Sequence, residues 1–119
     1  MARILLADDD LATRELVKRA LEAEGHAVEV TQDGSEAMEK LGAPGAVDLL
    51  VSDVHMPGLD GVELAQRAIA AMLALKLLFM SGFTEELERA KGVKASKVGI
   101  ISKPFTLEQI RSAVRVLLE

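Results

Sequence analysis

Three features of the sequence predict an α/β fold, a central parallel sheet doubly wound by helices. Short apolar runs alternate with helix-period segments five times along the chain. Alternation of this kind builds a parallel sheet with helices on both faces. The run before Asp53 (LLVS) is continuously apolar up to its serine, as strands covered on both faces are. Residues that cap or stop helices punctuate the alternating segments. The right-handed crossover rule then limits the topologies available.

The elements follow in order. Arg3 to Ala7 reads as a strand that ends at Asp8. Leu11 to Glu24 has Ala12, Leu16, Val17, Ala20 and Leu21 at helical spacing. Gly25 stands where a helix would stop. Ala27 to Thr31 alternates, with Val28 and Val30 around Glu29, as a half-buried strand does. Asp33, followed by Glu36, starts a helix that runs to about Leu41. Gly42-Ala43-Pro44-Gly45 is a turn. Asp48 to Ser52 is the third strand, and a helix from Asp60 runs to about Met72. Lys76 to Ser81 is the fourth strand, and Thr84 to Ala90 is a short polar helix. Gly92 to Lys97 is a basic loop, and Val98 to Ser102 is the fifth strand. Thr106 and Gln109 have the spacing of a capping box. Its helix carries Leu107, Ile110, Val114 and Leu117 on one face.

Length and composition narrow the function. The 119 residues suit one compact domain. A net charge of -5 argues against a non-specific nucleic-acid binder, which would carry a basic face. No Trp or Tyr is present to stack on bases. Without cysteine there is no disulfide, thiolate catalysis or cysteine-ligated zinc. The start, MARILLADDD, is not a signal peptide. The longest apolar stretch begins at Ala68, is broken by Lys76 and is too short to span a membrane. A cytoplasmic protein without membrane or nucleic-acid partners is expected.

The strand ends carry the chemistry. In open parallel sheets ligands bind beyond the carboxyl ends of the strands. Those ends are Asp8-Asp9, Asp53, Ser81 and Lys103. Three carboxylates in one place repel each other unless a cation joins them. Oxygen donors without His or Cys suit a hard cation such as Mg²⁺, which leaves room for a phosphate oxygen. Lys103 would offer a point charge to an anion, and Ser81 a hydroxyl to a phosphoryl oxygen. A carboxylate beside the cation can attack phosphorus, and phosphoryl transfer asks mainly for positioning and charge neutralisation.

Taken singly, these residues have plainer explanations. Asp10 and Asp60 read as helix N-caps, and Asp8 or Asp9 alone could be one too. Ser81 alone would be a strand-end hydroxyl, and Lys103 alone a solvated lysine. His55 reads as a loop residue whose ring has no second ligand His at useful spacing. His26 sits in a turn and reads as inert. The joint pattern carries the functional reading.

The motifs RILLADDD, LLVSDVHMPGLDG, LLFMSG and IISKPF, in that order and spacing, resemble the receiver domain of two-component response regulators. The resemblance covers the whole chain. It implies a CheY-like, flavodoxin-like (βα)₅ fold with strand order 2-1-3-4-5. It implies that Asp53 accepts a phosphoryl group from a histidine on a histidine kinase or histidine phosphotransferase. Asp8 and Asp9 would hold Mg²⁺, Asp9 directly and Asp8 through water. Asp53 and the backbone carbonyl of His55 would complete the protein ligands. Ser81 would be the switch hydroxyl and Lys103 its anion-pairing partner, with a cis Lys103-Pro104 peptide. Phosphorylation would reshape the face formed by strand four, helix four and strand five, to which a downstream protein binds. One position departs from the common pattern. Ile100 stands where many receivers carry an aromatic switch residue, and Phe83 and Phe105 are the candidates to replace it. Phe83 also lies where bulk would restrict water and tune the phosphoryl lifetime.

The chain is expected to be a single receiver domain over 1–119 with no output domain. Output would then pass through a partner, and residues 86–97 (ELERAKGVKASK) are a candidate surface for it. Their plain alternative is a solvated helix and loop. MARILLADDD, LFMSGF and ISKPF further resemble CpdR-type single-domain receivers of alphaproteobacteria, which implies an adaptor role in ClpXP proteolysis. A receiver excised from a hybrid histidine kinase would look similar. A Mg²⁺-dependent aspartyl phosphatase fits less well, because His55 stands where that class has a second acid and no cap domain is present. A scaffold that has lost switching is opposed by the intact acidic set, and FMN binding by the three acids after strand one, which repel phosphate. No enzyme activity beyond slow self-dephosphorylation is expected.

Overall fold

The computed structural model describes residues 1–43 and 45–119. Five strands and five helices alternate: β1 (Arg3–Ala7), α1 (Leu11–Ala23), β2 (Ala27–Thr31), α2 (Gly34–Leu41), β3 (Leu49–Asp53), α3 (Gly61–Ala71), β4 (Lys76–Ser81), α4 (Thr84–Lys91), β5 (Val98–Ser102) and α5 (Leu107–Leu118). The sheet is wholly parallel, in the order β2-β1-β3-β4-β5.

Alternation along each strand sorts the core into two layers. Leu5, Leu50, Leu77 and Phe79 pack with Ala37 of α2 and with Leu64, Ala65 and Ala68 of α3. Ile4, Leu6, Leu49, Val51, Leu78 and Met80 pack with Val17 and Leu21 of α1 and with Ile110 and Val114 of α5. Every residue of β3 is buried, as its unbroken apolar run requires.

Local signals start and stop the helices. The side chains of Asp10, Asp33 and Asp60 accept the backbone N–H three residues on, at 2.9, 2.8 and 2.9 Å. Thr106 and Gln109 form the reciprocal capping box. At the end of α1 the N–H of Gly25 donates to Glu22 and that of His26 to Leu21. Gly25 has φ +93°, the left-handed turn that closes such a helix end. His26 has a structural task, since its Nδ1 accepts from the Ala2 N–H at 3.2 Å.

Some expectations are corrected. The third strand begins at Leu49, not Asp48, and includes Asp53. Just before it, the Asp48 carboxylate accepts the Arg3 N–H at 2.8 Å. Ala12 and Leu16 do not join the buried stripe of α1, which comprises Val17, Ala20 and Leu21. On α5 Leu107 is 39% exposed, while Ile110, Val114 and Leu117 are buried. Helix α4 runs one residue past Ala90. Pro44, in the turn expected at 42–45, lies outside the described residues.

Candidate functional site

Strand register assembles the site. Ala7 of β1 pairs with Ser52 of β3, so Asp8 and Asp53 stand side by side one step further along. Asp53 pairs with Met80, and Ser81 with Ser102. Lys103, just beyond β5, donates its N–H to the Ser81 carbonyl at 2.8 Å. Asp8, Asp53, Ser81 and Lys103 therefore emerge at the same edge of the sheet, where the sequence predicts a ligand.

The three carboxylates come together. Asp8, Asp9 and Asp53 each offer an oxygen within 4.8 Å of the others. Asp8 is fully buried, Asp53 is 7% exposed and Asp9 is open to solvent. The Lys103 ammonium lies 3.2 Å from Asp53 and 3.4 Å from Asp8. Burial raises the Asp53 carboxyl to about 6, against the pull of Lys103 and with a further push from Asp8. Burial also raises Asp8, opposed by the Asp10 N–H it accepts at 2.9 Å and by Lys103. Burial works against the Lys103 charge, but Asp53 and Asp8 together outweigh it and raise its pKa.

This donor set fits a small hard cation. Two oxygens on one Mg²⁺ lie at most about 4 Å apart, twice the bond of about 2.1 Å. The three acids would draw closer around such an ion, and a divalent charge would relieve the repulsion that Lys103 alone only partly offsets. His55 is exposed, and its carbonyl accepts no hydrogen bond among the described residues. Its ring is not part of the cluster.

Ser81 is brought to the edge, but its hydroxyl is engaged elsewhere. Its Oγ lies 2.5 Å from a Glu86 carboxylate oxygen and accepts the Phe83 N–H at 3.0 Å. Strand parity explains this. Ser81 follows Leu77 and Phe79 onto the face that also buries Ala90 of α4. The Lys103-Pro104 peptide is cis. Ile100 packs into the α3–α4 layer, whereas Phe105 packs into the opposite one and Phe83 is 64% exposed. Neither phenylalanine occupies the place of Ile100.

Sequence reasoning missed three contributors. Arg14 donates to the Asp8 carbonyl at 2.9 Å. Gly61 packs on the Asp53 backbone so closely that a Cβ would stand 2.2 Å from the Asp53 carbonyl oxygen. Glu86 holds Ser81. For Gly61 the Asp-Gly pair at a helix start was the available hint, whereas the Arg14 and Glu86 contacts depend on packing alone.

A family model described as the response regulator receiver domain matches residues 4–115. Response regulator MprA of Mycobacterium ulcerans is 39% identical over 116 residues, 98% of this chain. The chain spans about half the length of the curated relatives it matches, 50% in this case. Response regulator TrrA of Thermotoga maritima, solved in complex with Mg²⁺-BeF, is 28% identical with a TM-score of 0.83 over 98% of this chain and 99% of that one. The receiver domain of hybrid histidine kinase CckA is 31% identical, with a TM-score of 0.81 over 98% and 99% of the two chains. Among the described residues no helix is long and apolar enough to cross a membrane. The chain belongs to the response regulator receiver domain family, the signalling domains of two-component systems.

Proposed function

We propose that Asp53 accepts a phosphoryl group from a phosphohistidine on a histidine kinase or histidine phosphotransferase. The observation that carries this reading is the three-acid cluster with Lys103 bridging Asp53 and Asp8. A carboxylate oxygen of Asp53 attacks phosphorus in line. The P–O bond forms, the P–N bond to the donor imidazole breaks, and that nitrogen leaves with the electron pair. Only the ionised carboxylate is a nucleophile, and a group held at about 6 is mostly ionised at neutral pH.

Asp8, Asp9, Asp53 and the His55 carbonyl would hold Mg²⁺, which neutralises charge on the transferring group when bound. Lys103 stands ready to pair with a phosphoryl oxygen on Asp53, and Ser81 would donate its hydroxyl to another on leaving Glu86. The added charge at one strand end then biases the β4-α4-β5 face between two states. The exposed Lys94 and Lys97, beside Arg89 and Lys91 that pair with Asp60 and Glu88, give that face a mixed-charge surface for a protein partner. Residues 1–119 act as one switching unit in the cytoplasm, with no turnover beyond slow self-dephosphorylation. Signalling through a partner is the favoured output, and the CpdR-like sequence pieces make a ClpXP adaptor role its specific form. Likeness to the CckA receiver supports a second reading, the receiver of a hybrid histidine kinase.

Intact mass after incubation with Mg²⁺ and acetyl phosphate tests the assignment. Wild type is expected to gain one phosphoryl mass that hydroxylamine removes, and Asp53→Asn to gain none. If wild type gains no mass even with a phosphotransfer partner supplied, the assignment is wrong and the chain is a constitutive scaffold.

A further inference from the structure

We infer that Glu86 is a positioning residue that holds Ser81 away from the phosphorylation site, and that phosphoryl binding must displace it. The inference rests on the Asp53 reading above and extends it to a residue outside the acidic site. Ser81 is 1% exposed and carries a single O–H to donate. Two acceptors lie within reach, the Glu86 carboxylate at 2.5 Å and the Phe83 carbonyl at 3.4 Å. The shorter contact to the charged oxygen takes the proton, since charge-assisted hydrogen bonds are both shorter and stronger. The hydroxyl cannot donate to Glu86 and to a phosphoryl oxygen at once. The two anions therefore compete for one proton, and each state excludes the other.

The contact also reaches the output face. Glu86 lies in α4, and three residues on, Arg89 of the same helix meets the carboxylate of Asp60, the N-cap of α3, at 3.2 Å. Helix α4 has no side-chain cap at Phe83. Its first turn is instead tied to β4 by the Phe83 N–H and by Glu86, both on the Ser81 hydroxyl. When Ser81 turns toward a phosphoryl group, both ties to that hydroxyl loosen while the Asp60 tether remains. Helix α4 is thus freed at its N-terminal end, which links the chemistry at Asp53 to the surface beside residues 86–97. With Ile100 in place of an aromatic ring on β5, this polar link gives the hydroxyl a direct hold on α4.

The test is the dissociation constant of beryllofluoride, a phosphoryl mimic, at saturating Mg²⁺. It is measured for wild type, Glu86→Ala and Glu86→Gln, each with Ser81 intact and as Ser81→Ala. Glu86→Ala is expected to bind about tenfold more tightly, the ratio one charge-assisted hydrogen bond supports. Glu86→Gln should fall between the two, because its amide oxygen accepts without charge. In the Ser81→Ala background both gains should vanish. A variant that merely loosened α4 would keep its gain without Ser81. Unchanged or weaker binding in both Glu86 variants, or an equal gain with Ser81 removed, overturns the inference. Glu86→Gln preserves volume and polarity, so it tests the idea should Glu86→Ala fold poorly. Wild type that neither binds beryllofluoride nor gains mass sinks the Asp53 assignment itself, an outcome distinct from indifferent Glu86 variants.

Discussion

The Lys103 ammonium stands 3.2 Å from Oδ1 of Asp53, and it is the cation that holds that carboxyl down against burial and the neighbouring Asp8. Lys103→Met should therefore send the Asp53 carboxyl above its present value of about 6. Carbon-detected NMR titration of the metal-free protein reads this directly. Phosphorylation by acetyl phosphate should slow by at least about tenfold, since a positive group aimed at the developing charge is lost. An unmoved Asp53 titration would show that Lys103 does not control the site electrostatically.

Asp53 also makes the metal-free fold pH-dependent. Its carboxyl moves from an ordinary 3.8 to about 6 on folding. Between those values the folded protein keeps a proton that the unfolded chain has released. Stability therefore falls as pH rises from about 4 to about 6 and stays lower above. Asp8 is raised too and acts in the same direction. In EDTA at pH 7, Asp53→Asn should be more stable than wild type by up to about 3 kcal/mol, two pKa units at 1.36 kcal/mol each. The difference should shrink toward zero near pH 4. Excess Mg²⁺ should narrow it at pH 7, because the cation stabilises only the protein that keeps the full acidic set. Urea unfolding at both pH values measures all three effects. A mutant less stable than wild type at pH 7 in EDTA would refute the account.

Gly61→Ala should damage fold and site together. A Cβ there would lie 2.2 Å from the Asp53 carbonyl oxygen and 3.0 Å from the Ser52 hydroxyl oxygen. Backbone cannot yield as a flexible side chain can, so the start of α3 must shift. A loss of about 1–3 kcal/mol in urea unfolding is expected, with slower acetyl phosphate labelling of Asp53. Gly82→Ala is the matched control, as its Cβ would meet nothing within 4 Å. Equal stability of the two variants would remove the steric argument.

What the sequence determined by itself is local or periodic. Five strands, five helices and the caps at Asp10, Asp33, Asp60 and Thr106 were legible because each depends on residues within a turn or two of chain. The gathering of Asp8, Asp9, Asp53, Ser81 and Lys103 at one edge was legible because every strand of a parallel sheet ends there, which needs no distance. Strand order came with the family resemblance and not with periodicity, since a five-residue apolar run carries no record of its neighbour. Leu16 and Leu107 are 38% and 39% exposed, because helical spacing selects a face but not how far that face is covered. Only the tertiary structure decided how deeply Asp53 and Asp8 are buried, and with it the raised Asp53 carboxyl. It also joined Arg14 to Asp8, pressed Gly61 onto Asp53 and turned Ser81 toward Glu86. Those contacts depend on packing distances of a few ångströms between elements, and desolvation and hydrogen bonding change steeply over that range.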